Sequence, residues 1–159
     1  VAEAVVRVLF VCLGNICRSP LAETVVRDRA RERGLSQRFE FASAGTGDWH
    51  VGKGADPRSA ATARRYGHDL EDHRASQITP SRLSGWHWFV AMDSDNRENL
   101  LAMGAPGERV LMMRQFEEGG GPAKDVPDPY FGGADGFDRV YAMLRDNADH
   151  LLDYLVGES

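Results

Sequence analysis

The feature that most restricts the fold is a run of β-branched and apolar residues, Val5–Val11, interrupted only by Arg7, that passes directly into Cys12-Leu-Gly-Asn-Ile-Cys-Arg-Ser-Pro20. The run reads as a strand buried on both faces. In the segment that follows, Gly14 and Asn15 are residue types that tolerate left-handed or otherwise tight backbone. Pro20 suits the first position of a helix, with Ser19 before it as the cap. That helix runs to about Arg33 and is closed by Gly34. Strand, tight loop and helix in such quick succession form the opening unit of a sheet with helices packed against it.

The rest of the chain repeats the alternation. Phe39–Ala42 reads as a second strand, His87–Met92 as a third and Arg109–Met113 as a fourth. Between them, Pro57 opens a helix through Arg65, with Asp56 as its cap and Gly67 past its end, and Asn96–Met103 forms another. Phe137–Leu155 is the longest helix, with Val140, Leu144, Ala148, Leu151, Leu152 and Leu155 on one stripe. Gly119–Gly121 reads as a surface loop. The pattern predicts an α/β fold: a parallel sheet with helices on both faces, formed by residues 1–159 as one domain. In such sheets ligands bind at the carboxyl ends of the strands, where loops enter helices.

The segment after the first strand lies at such an end. A loop curling into a helix N-terminus points several amide groups at one place and adds the positive end of the helix dipole. Residues Leu13, Gly14, Asn15, Ile16, Cys17, Arg18 and Ser19 therefore form a candidate phosphate cradle. Cys12 stands at its mouth, where a helix N-terminus and a cationic neighbour favour thiolate over thiol. Arg18 can grip two phosphate oxygens at once and stabilise the charge of a transition state. Thiolate and guanidinium together suit attack on phosphorus through a cysteinyl-phosphate. Asp128, between Pro127 and Pro129, is the candidate proton donor to a leaving oxygen. A lone Cys-x5-Arg reads equally well as a buried cysteine and a surface arginine; the strand before it and the Ser-Pro after it favour the site. The two cysteines do not have zinc-knuckle spacing and the five histidines are scattered, so neither a metal nor another cofactor is expected.

The net charge of −5 argues against nucleic acid or an anionic membrane as a partner. No stretch reaches the roughly 18 apolar residues of a membrane span. The N-terminal segment, with Glu3 and no basic region, does not read as a signal peptide, and two cysteines within one loop read as reactive rather than structural. A cytoplasmic protein is expected.

From about Val8 to Leu155 the chain resembles the low-molecular-weight protein tyrosine phosphatases. The resemblance is carried by FVCLGNICRSPLAE, SAG at Ser43–Gly45, DHRASQIT at Asp72–Thr79, MD at Met92–Asp93 and DPYF at Asp128–Phe131, in that order. It implies a four-stranded, flavodoxin-like sheet of the phosphotyrosine phosphatase I type and a two-step mechanism without metal. Cys12 would be the nucleophile, Arg18 the phosphate-gripping arginine and Asp128 the general acid. Ser19 would hydrogen-bond the thiolate, and Asn15, Ser43 and His73 would hold the loop's backbone. Leu13, Trp49, Tyr130 and Phe131 would wall a slot for a phenyl ring. The implied partners are tyrosine-phosphorylated proteins, with inorganic phosphate as product and competitive inhibitor, and the implied state is a monomer. Cys12 and Cys17 would form a redox pair. Ser76 stands where many relatives carry arginine, so an ion pair is expected to be missing, and Phe131 replaces a second tyrosine. Rival readings on the same scaffold are an arsenate reductase, which needs further cysteines that the chain lacks after Cys17, and a phosphoarginine phosphatase, whose relatives carry threonine at the position of Ile16. A non-catalytic phosphotyrosine-binding module would have no need of Cys12 and Asp128 together.

Overall fold

The computed structural model describes residues 4–117, 124–130 and 135–158. Strand β1 spans Val6–Cys12, helix α1 Arg18–Glu32, β2 Phe39–Gly45, α2 Pro57–Arg65, β3 Trp88–Ala91, α3 Ser94–Met103, β4 Val110–Met112 and α4 Asp135–Glu158. The four strands form one parallel sheet in the order β2-β1-β3-β4. The predicted elements are therefore present, with two changes of consequence. β2 runs on to Gly45, because its last residues pair with the end of β1 in a register that sets Cys12 opposite Gly45. α1 begins at Arg18 rather than at Pro20, for a reason that lies in the site. The Gly119–Gly121 loop lies outside the described residues.

Strand periodicity divides the core in two. Val8, Phe10 and Cys12 face α1, α2 and the apolar stripe of α4. Leu9 and Val11 face Leu100 of α3 and Ala105, together with Phe89 and Ala91 of β3. All six predicted stripe residues of α4 are buried. With β1 covered on both sides, each of its large side chains contributes about 1.5–3 kcal/mol of burial, and the end of the strand becomes a rigid platform. The chain leaves β1 for β2 on one side and returns to β3 on the other, so β1 is the point at which the order of the sheet reverses. Loops diverge there and leave a crevice. Cys12 ends the strand that borders it. Among the described residues, no helix is long and apolar enough to cross a membrane.

Candidate active site

The loop from Cys12 to Arg18 turns on one residue. Asn15 has φ 57°, the sole non-glycine in the left-handed region among the described residues, whereas Gly14 needs no positive φ. Asparagine tolerates this conformation better than most residues, and here its neighbours hold it in place. Asn15 is fully buried. Its Oδ1 accepts from the Ser76 amide at 2.9 Å, and its carbonyl lies 2.7 Å from His73 Nε2, which must carry the proton since a carbonyl can only accept. Its Nδ2 donates to Ser19 Oγ at 2.8 Å, which frees the Ser19 hydroxyl proton for the Cys12 sulfur 3.0 Å away. The Asn15 amide also donates to Cys12 Sγ, at 3.3 Å.

Ser19 is therefore not a helix cap, contrary to the sequence expectation. Its hydroxyl is engaged with Cys12 and Asn15, the helix starts one residue before it, and no side chain caps α1 at Cys17. An uncapped helix start keeps its first amides available to an anion. Ser43 joins the polar network around the loop indirectly: its hydroxyl donates to Glu23 at 2.7 Å, and its carbonyl accepts at 3.3 Å from the Oγ of Ser76, whose amide holds Asn15. At position 76, where an ion pair was expected to be missing, Ser76 bridges β2 and Asn15 by hydrogen bonds instead. Gly45 has a separate role. A Cβ there would sit 2.7 Å from the Leu13 carbonyl oxygen, so the loop can cross β2 only over a glycine.

Arg18 is almost wholly buried beneath this loop. One of its guanidinium nitrogens donates to Asp93 at 2.6 Å and to the Val126 carbonyl at 3.0 Å, and the other lies 3.5 Å from Asp128. Burial is the largest influence on this arginine and opposes its charge. Cys12, Asp93 and Asp128 together outweigh it and hold its pKa above the ordinary value. Asp93 also caps α3 through the Asn96 amide, so Arg18 is tied to the end of β3. The segment carrying Asp128 is anchored likewise. The Val126 amide donates to Met92 O at 2.7 Å, Asp125 accepts from Ser94 N and Oγ, and Arg58 donates to Tyr130 O at 3.2 Å.

Cys12, Leu13, Arg18, Trp49, Asp128 and Tyr130 line one pocket of about 130 Å³, along with Gly14, Ile16, Cys17 and His50. The structure thus brings Cys12, Leu13, Gly14, Ile16, Cys17, Arg18, Trp49, Asp128 and Tyr130 to one pocket, with Asn15, Ser19, Ser43 and His73 behind its lining; Phe131 lies outside the described residues. Cys17 is a buried thiol whose pKa is driven up, first by burial and then by Asp56 and Cys12. Sequence reasoning assigned no role to Asp93, Asp125 or His50. The MD motif was the one available signal for Asp93. Nothing local in the sequence marks His50, which closes the pocket over Gly14. Among the described residues, no group of three or more His, Cys, Asp or Glu could hold a metal ion.

A strand-borne cysteine, a buried arginine and an aspartate around an aryl-walled pocket can bind a phosphate monoester and exchange it onto sulfur. The profile of the low molecular weight phosphotyrosine protein phosphatases matches residues 7–159. The chain belongs to this family. A low molecular weight protein-tyrosine-phosphatase of Streptomyces coelicolor is 44% identical over 92% of this chain and 91% of that protein. A low molecular weight phosphotyrosine protein phosphatase of Schizosaccharomyces pombe is 41% identical over 92% of this chain and 95% of its own length. Among solved structures, YfkJ of Bacillus subtilis superposes with a TM-score of 0.90 at 33% identity, covering 99% of this phosphatase-family chain and 98% of YfkJ.

Proposed function

We propose that the protein hydrolyses phosphotyrosine in protein substrates in two steps at this pocket. In the first, the Cys12 thiolate attacks phosphorus, the bond from phosphorus to the tyrosine oxygen breaks, and Asp128 gives its proton to the departing phenolate. In the second, water attacks the cysteinyl-phosphate, Asp128 takes the proton from that water, and inorganic phosphate leaves with Cys12 restored as thiolate. Arg18 holds two phosphoryl oxygens throughout, Ser19 and the Asn15 amide stabilise the sulfur anion, and Trp49, Leu13 and Tyr130 receive the ring. The observation that carries this reading is the convergence of Cys12, Arg18 and Asp128 on one pocket with an exposed indole at its rim.

Cys12→Ser and Arg18→Ala each remove a different necessity, an ionised nucleophile and a planar clamp. Either variant retaining a tenth of wild-type kcat would overturn the mechanism. Asp128→Ala should lose roughly 10²–10⁴-fold with phosphotyrosine but little with an acidic nitrophenyl leaving group, the mark of a general acid. An equal loss with both would make Asp128 structural. Phosphotyrosine should be hydrolysed faster than phosphoserine or phosphoarginine, phosphate should compete with substrate, and EDTA should have no effect. The free thiols of Cys12 and Cys17 suit a reducing compartment, and we assign the enzyme to the cytoplasm as a monomer, to be checked by fractionation and sedimentation.

A further inference from the structure

The indole of Trp49 has an open cleft on each side. One is the pocket above the Cys12 loop. The other, of about 430 Å³, lies between the segment after β2 and the C-terminal half of α3, and it is bordered by Leu13, Trp49, Gly47, Pro80, Ala102 and Met103. Leu13 and Trp49 line both, so the two clefts are separated by a single layer of side chains. This partition is fixed to the catalytic loop: the amides of Thr46 and Gly47 donate to the carbonyls of Cys12 and Leu13, each at 2.9 Å. Trp49 lies so close over Gly47 that a Cβ there would sit 1.8 Å from its Cζ3, so only glycine lets the indole take this position.

The chemistry of the second cleft is mostly apolar. Thr46 and Asn99 are its polar side chains, and none of its lining is charged. Exposed apolar surface gathers around the two clefts, with Leu13 and Trp49 bordering both. Of the six large apolar side chains left exposed among the described residues, Leu13, Trp49, Val51 and Tyr130 belong to the catalytic loop, the segment after β2 or the far wall of the pocket. Such clustering on an otherwise polar surface marks a place that a partner covers.

We propose that this cleft is a specificity subsite that takes an apolar side chain lying within two residues of the phosphotyrosine, a proposal that rests on the phosphatase reading. An extended substrate returns its side chains to one face about every 7 Å. The tyrosine then descends on one side of Trp49 and its neighbour on the other, with the peptide straddling the indole.

The test is a set of phosphotyrosine peptides in which each position from two before to two after the tyrosine is Leu or Ser, a pair that leaves the peptide charge unchanged. 4-Nitrophenyl phosphate, which has no flanking residue, reports the catalytic pocket alone. At one position Leu should exceed Ser roughly fivefold in kcat/KM, equivalent to about 1 kcal/mol. That ratio should fall to near one in Ala102→Glu, which introduces a charge from an exposed helical position, and in Met103→Ala, with 4-nitrophenyl phosphate turnover little changed in both. Equal rates for Leu and Ser at every position, with the peptides still hydrolysed, overturn the subsite and leave the phosphatase reading intact. A Leu preference that survives both variants also overturns it, because the side chain is then read elsewhere. Failure of the wild-type protein to turn over 4-nitrophenyl phosphate removes the catalytic reading and the subsite with it.

Discussion

Asp93 is joined to two structures by its two carboxylate oxygens: one accepts from Arg18 and the other from the Asn96 amide that starts α3. The two contacts can be separated, because asparagine caps a helix about as well as aspartate but carries no charge. Asp93→Asn should keep the cap but cost stability, because buried Arg18 loses a charged partner, and should lower kcat by about tenfold, because that partner orients the guanidinium. Asp93→Ala should lower kcat similarly and in addition cost about 1 kcal/mol in urea unfolding, the usual worth of a cap. Equal unfolding curves for the two variants would remove the cap from this account. Cys17 supplies a second prediction. Peroxide should oxidise the Cys12 thiolate to a sulfenic acid, and Cys17, which lines the same pocket, should then attack that sulfur and release water to form a disulfide. Burial drives the Cys17 pKa up, and the attacking species is its thiolate, so cross-linking should accelerate as pH rises from 7 to 9. Peptide mapping after mild peroxide should find the Cys12–Cys17 bridge, and activity should return with dithiothreitol in the wild type but not in Cys17→Ser. Equal recovery in the variant would return Cys17 to the role of a packing residue.

Between elements, the junction of α4 with the segment after β4 rests on one carboxylate. Glu117 accepts from Arg114 and Asn147 and lies 3.0 Å from Lys124. Arg114 first, then Asn147 and Lys124, hold its pKa well below the ordinary carboxylate range, against the opposing effect of burial. A carboxylate depressed on folding contributes stability that is fully present above its unfolded pKa of about 4.3 and is lost as pH falls toward the folded value. Glu117→Gln should therefore be less stable than wild type by a constant margin above about pH 5, and the margin should shrink below about pH 4. Urea unfolding across that range checks it; a margin independent of pH would mean that packing, not charge, holds the junction. α3 and α2 fit the same pattern at smaller scale. Each begins with an aspartate cap, Asp93 and Asp56, and Arg58 of α2 reaches across to Tyr130, so the elements that frame the pocket are tied together at its rim.

For the whole molecule, the sheet separates stability from turnover. Leu144 is fully buried on the α4 face, whereas the pocket lies at the carboxyl edge of the strands. Leu144→Ala should cost about 2–5 kcal/mol, the range for a buried leucine, with kcat of the folded protein unchanged. Gly45→Ala should do the reverse, lowering kcat more than stability, because its Cβ would meet the backbone of the Cys12 loop and not the core. Thermal melts paired with initial rates distinguish the two, and a Leu144→Ala enzyme with depressed kcat would show that the core and the site are coupled. The strand of β1, the loop that must turn into a helix, and the stripe of α4 were legible in the sequence, because backbone preference and amphipathic period are written in contiguous residues. The candidate thiol, guanidinium and acid were legible too, through residue types gathered in short motifs. What the tertiary structure alone decided are pairings across the chain: Arg18 with Asp93, 75 positions away, and with Val126, 108 away, whereas the support of the loop by His73, 58 positions from Asn15, was implied by the resemblance. It also decided where α1 starts, since Ser19 bonds the sulfur of Cys12 instead of capping the helix. No period or propensity marks such partners, because they meet only when parallel strands bring their carboxyl ends to one edge.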